Sequence, residues 1–336
     1  MEIRKVQMTG GSSYVITLPK EWVKSNNIAK NDPLGLTIKP DGSLLVTTDV
    51  TEKRIQRIKE FDVNEKTNDT FLLRQLIGAY IAGYNSIKIK SKTKVSLKVR
   101  SSVRKFTQIT IGQEVIEESD KTIVIKDLLN PAEMPFNSTI KRMHLMVKSM
   151  HEDAIKTLNS GNKKTLEEIM LKENDVDRLH WLVARQYNMM LQDLDLAEKM
   201  NITLNLASTY FLISRIIERM GDHVVRIAKN IQKLTDDKLD KKTKEKIQNA
   251  SSIALNIFNK SIGSFFRKEI VSSNRNIDSV QTLGALCEEI NSYVTKKTGS
   301  IALSVGYITE SIRRIGEYAE DLSEIAINYL VNTEKN

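Results

Sequence analysis

Cysteine is nearly absent: Cys287 stands alone in 336 residues. The chain therefore cannot close a disulfide on itself, and it has no cysteine-based zinc site. Cys287 falls in the apolar pattern Leu283, Leu286, Cys287, Ile290, where it reads as a small buried hydrophobe rather than a reactive thiol. Proline (5) and aromatics (6%) are scarce while methionine (11) is plentiful, a balance suited to helices packed on helices. No long hydrophobic run exists. The longest uncharged helical stretch, 201–214, is too short to span a bilayer and contains Asn205, Ser208 and Thr209. The first seven residues carry charge early and have no apolar segment, so no secretory signal is expected and a soluble, cytoplasmic protein is. There is no phosphate-binding glycine loop, no strand-turn-helix fingerprint and no recognisable nucleophile, which argues against an enzyme. Metal-assisted hydrolysis by paired carboxylates is the distant remainder of that class.

What is present is a positive excess of +9, and its placement is uneven. Residues 1–50 carry +1, residues 51–130 carry +6 and residues 131–336 carry +2. Nine basic residues and no acid lie between Thr70 and Gln113. A chain of this length suggests two or three domains. The reading is mixed but mainly α: a β-rich module over 1–50, a small α+β domain over 51–130, and a helical array over 134–332.

In the first module, Ile3, Val6 and Met8 precede a Gly10-Gly11-Ser12-Ser13 turn, and Tyr14-Val15-Ile16-Thr17-Leu18 is a β-rich run. Pro19 suits the first turn of a short helix over 20–26. Segments 34–39 and 43–48 form a hairpin around Asp41-Gly42. About fifty residues bury little surface alone, so this module needs a partner copy. The string from Gly10 to Trp22, with Asn31-Asp32 and Asp41-Gly42, resembles the AbrB/SpoVT swapped-hairpin family. That resemblance implies an intertwined homodimer presenting basic residues to DNA, here Arg4, Lys5, Lys20 and Lys24. The module is nearly neutral, however, whereas DNA binding needs clustered positive charge. A dimerisation module without DNA binding is the alternative.

The middle segment predicts a helix over 71–84, with Leu72, Leu73, Leu76, Ile77, Tyr80 and Ile81 at helical spacing, and a strand from Ser86 that alternates strictly. On such a strand Lys88, Lys90, Lys92 and Lys94 share one face. A second helix over 95–109 carries Lys98, Arg100, Arg104 and Lys105, and 113–118 with 121–127 close the domain as strands. The lysine row reads either as a soluble edge strand that resists aggregation or as a basic patch facing DNA backbone or an acidic partner.

Beyond Pro131 and Pro135 the chain is helical, with predicted spans 139–159, 162–196, 201–234, 239–268, 274–298 and 300–331. Gly161, Asn201, Thr235-Asp236-Asp237 and Gly299 mark the breaks. These six helices fall into two three-helix repeats, about 138–234 and 238–331. The third helix of each repeat carries a similar string, Ile216 to Ala228 and Ser311 to Leu322. Setting Gly221 on Gly316 aligns Arg219 with Arg314, Asp222 with Glu317 and His223 with Tyr318.

Glu218-Arg219-Met220-Gly221-Asp222-His223, with Asp175-Val176-Asp177-Arg178-Leu179 on the preceding helix, resembles the PhoU family of phosphate-uptake regulators. An AbrB-like head on a PhoU-like body is the arrangement associated with archaeal phosphate regulators. The resemblance implies metal at the acidic motifs, a divalent ion or iron. Glu218 and Asp222, and likewise Glu317 and Asp321, stand at i and i+4 on one helix face, where carboxylate oxygens suit a hard cation. Asp175 and Asp177 are the candidates on the neighbouring helix. Two departures favour an ion-pair network instead: Arg226 stands where the family has asparagine, and Arg313 stands where the first motif has Glu218. Of the four histidines, His144 and His151 lie seven apart without a third ligand, and His180 beside Trp181 reads as packing.

The expectation is a phosphate-responsive regulator that binds promoter DNA through its head. Its partner through the helices is the cytoplasmic part of a phosphate transporter or a signalling protein. The alternative is a dimeric adaptor that binds no DNA.

Overall fold

The computed structural model describes residues 2–38, 42–48, 57–160, 164–234, 239–294 and 299–333. The chain divides into two compact units, Met1–Ile55 and Gln56–Asn336.

In the first unit, β1 (Gln7–Thr9) pairs antiparallel with β2 (Ser13–Val15). The connection runs through Gly10 and Gly11, both left-handed at φ +65° and +80°, which side chains with a Cβ rarely adopt. Helix α1 (Lys20–Ser25) follows directly on Pro19. A second hairpin joins β3 (Gly35–Ile38) to β4 (Leu44–Thr47). Asp41 of its expected turn lies outside the described residues, while Gly42 is left-handed at φ +80°. No described residue of this unit is buried. Ile3, Tyr14 and Ile38 are 81%, 78% and 76% exposed, so a single copy holds no core.

The second unit opens with a four-stranded sheet: β5 (Ile58–Val63), β6 (Ser86–Ser91), β7 (Gln113–Glu118) and β8 (Thr122–Asp127), in the order β5-β6-β8-β7. β5 and β6 are parallel, joined by helix α2 (Asp69–Ile81), and the other pairings are antiparallel. Helix α3 (Leu97–Ile109) follows β6. Both helices begin on side-chain caps, with Asn68 accepting from the Phe71 N–H and Ser96 from the Val99 N–H. Leu72, Leu76, Tyr80, Val99, Val103 and Phe106 pack with Ile87, Ile89, Ile123 and Ile125 in one apolar cluster.

The edge-strand reading of the lysine row is corrected here. β6 is interior, and it ends at Ser91, so Lys92 and Lys94 lie beyond it. Only Lys88 and Lys90 share the outer strand face, and acids flank them. Lys90 Nζ lies 2.6 Å from Glu60, Lys94 lies 3.2 Å from Asp120, and Arg100 is bonded to Glu118 and to the Ser119 carbonyl. Tertiary structure thus brings to the basic stretch the carboxylates that its own sequence lacks. Lys98 and Arg104 remain exposed on α3.

Seven helices follow among the described residues: α4 (Phe136–Ser160), α5 (Lys164–Met190), α6 (Leu194–Lys199), α7 (Leu204–Lys233), α8 (Lys241–Arg267), α9 (Ile270–Val294) and α10 (Ser300–Thr333). The predicted single helix over 162–196 is two, because the Asp193 side chain caps α6 by accepting from the Asp195 N–H. The apolar pattern runs on across that joint and hides it. The break between α8 and α9 is shorter than expected, turning on Lys268 at φ +59°. Asn201 and Gly299 break the chain as predicted, at φ +48° and +78°. Gly161 and Thr235-Asp236-Asp237 lie outside the described residues.

α7 packs on α4 and α5, α10 packs on α8 and α9, and the two groups meet through α7 against α10 and α4 against α8. One apolar cluster runs through both groups. The sheet is fixed to this array by Arg185 of α5, which is 1% exposed. Its guanidinium donates to Asp127 Oδ2 and to the Tyr80 carbonyl, both at 2.5 Å, and lies 4.8 Å over the Tyr80 ring. Gln186 donates at 2.8 Å to the carbonyls of Pro131 and Met134, closing the same joint.

Candidate functional site between the two repeats

The helices that carry the repeated strings, α7 and α10, lie against one another. An apolar stripe on α7 (Ile213, Ile217, Met220, Val224, Ile227, Ile231) is buried, leaving the charged positions of the string near the rim. His223 and Tyr318, equivalent positions of the two strings, face each other with ring centroids 5.7 Å apart. The two glycines differ in what they permit. A Cβ on Gly316 would stand 2.2 Å from Leu283 Cδ2, whereas one on Gly221 would meet Val147 and Val176 at 3.7 and 3.8 Å, ordinary contact.

On the first motif, the acids that interact are Glu173 and Asp177 of α5 with Glu218 and Asp222 of α7. Burial pushes the Asp177 carboxyl up to about 8, reinforced by the charges of Glu173, Glu218 and Asp222. Glu173, Glu218 and Asp222 are also held above their ordinary values, in each case first by burial. For Asp222, Arg226 and then Arg219 pull the other way. Asp177 Oδ1 is buried with no hydrogen-bond partner. Asp175, the other candidate on α5, is bonded to Arg178 at 3.2 Å and stands outside this group. Glu173 was not singled out in the sequence, although its place four residues before Asp177 puts it on the same helix face.

The second motif is built differently. Arg313 binds Glu310 at 2.7 Å and is bonded to Glu317, while Arg314 reaches Glu310 at 3.2 Å and Glu317 at 3.0 Å. Asp321 is pushed up by burial and by Glu324 and Glu317, with Arg219 across the interface opposing. The Gly221-Gly316 alignment places Arg313 on Glu218 and Asp321 on Arg226. Each repeat thus carries an arginine where the other carries an acid, at different positions.

These donors have the oxygen chemistry of a hard-cation site, and the orphaned Asp177 oxygen suits one. Their placement does not: among the described residues, no group of three His, Cys, Asp or Glu side chains is arranged to hold a metal ion. The six sequence candidates divide between an uncompensated carboxylate group (Asp177, Glu218, Asp222), ion-paired residues (Asp175, Glu317) and Asp321.

Between the motifs lies a cavity of about 200 Å³ lined by Arg219, Asp222, His223, Arg226 and Tyr318. The other histidines are structural. His151 is fully buried on Ser251 Oγ at 2.7 Å, His144 pairs with Asn259 at 2.8 Å, and His180 pairs with Ser214 at 3.0 Å. Cys287 is 1% exposed, and burial pushes its thiol up to about 11, as befits a core residue. In the first unit Lys5, Lys20 and Lys24 are exposed, while Arg4 is half-buried, bonded to Glu2 and, at 3.3 Å, to Thr17 Oγ1.

Residues 140–231 match the family described as PhoU domain, and residues 7–54 match Antidote-toxin recognition MazE, bacterial antitoxin. No curated protein matches the sequence. Among solved structures, PhoU from Pseudomonas aeruginosa superposes with a TM-score of 0.53 at 15% identity, covering 59% of this chain and 96% of that one. The phosphate transport system regulatory protein PhoU from Streptococcus pneumoniae gives 0.50 at 16% identity, covering 59% and 94%. At these identities the likeness is one of fold. Among the described residues, no helix is long and apolar enough to cross a membrane.

Proposed function

We propose that this chain, a PhoU-like helical array carried behind a MazE-like module, is a cytoplasmic, phosphate-responsive regulator of phosphate uptake. Its first unit pairs with that of a second copy and binds promoter DNA. Its helical array engages the cytoplasmic part of a phosphate transporter or a signalling protein. The observation that carries the reading is the union of the two matched families in one chain, with the first unit's apolar residues left exposed in a single copy. Apolar surface of that kind calls for a partner, and a second copy supplies one of matching shape. Pairing also doubles the exposed lysines Lys5, Lys20 and Lys24 on one assembly, which raises the local positive charge that counterion release requires.

One observation favours a dimeric adaptor without DNA binding: Arg4 is already engaged by Glu2 and Thr17, and residues 1–50 carry only +1. Fluorescence anisotropy on DNA from the protein's own upstream region, across a salt series, separates the two. Tight, sequence-selective binding lost in a Lys5→Ala, Lys20→Ala, Lys24→Ala variant supports the regulator. Equal binding by residues 56–336 alone, or binding that ignores sequence, would leave the adaptor.

A further inference from the structure

Two arginines of the first motif, Arg219 and Arg226, line the solvent-open cavity between the repeats together with Asp222. Arg219 and Arg226 stand seven residues apart on α7, two helical turns along one face, so both guanidinium groups reach the same opening. Among the described residues neither has a carboxylate within ion-pairing distance, unlike Arg313 and Arg314 on the opposite helix. Asp222 sits between them in sequence and within their electrostatic range, without closing a pair with either. His223 lines the same space, and its Nδ1 is buried with no hydrogen-bond partner. The Tyr318 side chain lines the cavity from α10.

We propose that this cavity binds a tetrahedral oxyanion that carries a proton, inorganic phosphate in preference to sulfate. Two guanidinium forks and one imidazole N–H are donors suited to such an anion, and arginine is the side chain that meets it with paired bonds. The carboxylate of Asp222 sets the selectivity. Sulfate offers it no proton and meets only repulsion, whereas phosphate near neutral pH keeps at least one proton and donates it to the carboxylate. A cavity of about 200 Å³ has room for one such group. The donors come from α7 and Tyr318 lines the cavity from α10, so occupancy would bridge the two repeats. The inference rests on the phosphate-responsive reading above and names its ligand and site.

The test is isothermal titration of the full-length protein at pH 7 with sodium phosphate, sodium sulfate and glycerol 3-phosphate as separate probes. Phosphate is expected to bind at least about tenfold more tightly than sulfate. Arg219→Gln and Arg226→Gln are each expected to weaken it about tenfold or more, the size of one charge-assisted hydrogen bond. Asp222→Asn should narrow the phosphate-to-sulfate ratio by strengthening sulfate. Both arginines are exposed, so these variants should keep the parent's circular dichroism and melting. Glycerol 3-phosphate binding as tightly as phosphate would place a phosphate monoester in the site as the preferred source of the group. Absence of phosphate binding, binding indifferent to both arginine variants, or equal binding of sulfate would each overturn the proposal. DNA binding measured in phosphate-free buffer is independent of all these outcomes, so a failure here leaves the regulator reading standing, and the converse also holds.

Discussion

Asp177 supplies the sharpest test of the carboxylate group on the first motif. Its carboxyl, ordinarily at 3.8, is raised to about 8 by burial and by Glu173, Glu218 and Asp222. The folded state therefore holds a proton that the unfolded chain releases near pH 4. The resulting stability is fully present below the unfolded value and drains away as pH climbs toward 8. At 1.36 kcal/mol per pH unit, the uncorrected loss at pH 7 is about 4 kcal/mol. The side chain is half-buried and titrates jointly with its neighbours, so solvent screening and shared protons reduce this to about 1–2 kcal/mol. Asp177→Asn removes the ionisation while keeping shape. It should match the parent at pH 4.5 and exceed it at pH 8 by about 1–2 kcal/mol, a rise of several degrees in melting temperature. Thermal denaturation followed by helical circular dichroism, with chelator present, reads this directly. A variant less stable than the parent at pH 8, or an offset that ignores pH, would refute the electrostatic account. The same melts repeated with added divalent ion or iron address the metal implied by the acidic motifs. Stabilisation of the parent, lost in Asp177→Asn, would mean that the four carboxylates draw together around an ion.

Two packing predictions accompany it. Gly316→Ala drives a methyl into Leu283, which is fully buried, and should cost about 1–3 kcal/mol by urea denaturation. Gly221→Ala should be neutral or stabilising by up to about 1 kcal/mol, the helix-propensity gain; a reversed order would contradict the packing of α9 on α10. Arg185→Met strands the Asp127 carboxylate in a buried joint and should cost about 3–5 kcal/mol, whereas adding Asp127→Asn should recover much of that. Equal losses in the single and double variants would mean that the ion pair is not what fixes the sheet to the helices.

Long periodic segments were legible. The apolar spacing of α7 and α10 and the α2-β6-α3 succession followed from side-chain period, and the breaks at Asn201 and Gly299 from residue type. What escaped had specific causes. β5 reads Ile-Lys-Glu-Phe-Asp-Val, and its outer face is Ile58, Glu60 and Asp62, so no clean alternation announces a strand. The lysines of β6 suggested an edge because charge on a strand is locally ambiguous; the acids that pair with Lys90 on the strand and with Lys94 just beyond it are Glu60 and Asp120, both distant in sequence. The joint between α5 and α6 is one capping aspartate inside an unbroken apolar pattern. Family motifs pointed to Asp175 and Asp177 together, yet helical geometry separates them: side chains two apart face different ways, and Glu173 is the residue that joins Asp177.

The exchange of acids for arginines between the repeats gives the two motifs different physical characters. In the second, Arg313 and Arg314 are bonded to Glu310 and Glu317, and the Arg313 hydrogen bond holds the Glu310 carboxyl below its ordinary value against the opposing effect of burial. In the first, the position equivalent to Arg313 is Glu218, and the acids are left to repel. If charge compensation is what separates the two, reversing it should move the pH response from one repeat to the other. Arg313→Glu would set a third carboxylate beside Glu310 and Glu317, and it should destabilise the protein more at pH 8 than at pH 5. The difference should be about 1 kcal/mol, the scale of the partly exposed pairs it removes. Arg313→Gln, which removes the cation without adding a charge, should lie between that variant and the parent. Melts of all three across pH 5 to 8 decide it, and parallel curves would mean that the arginines of the second motif serve packing rather than compensation.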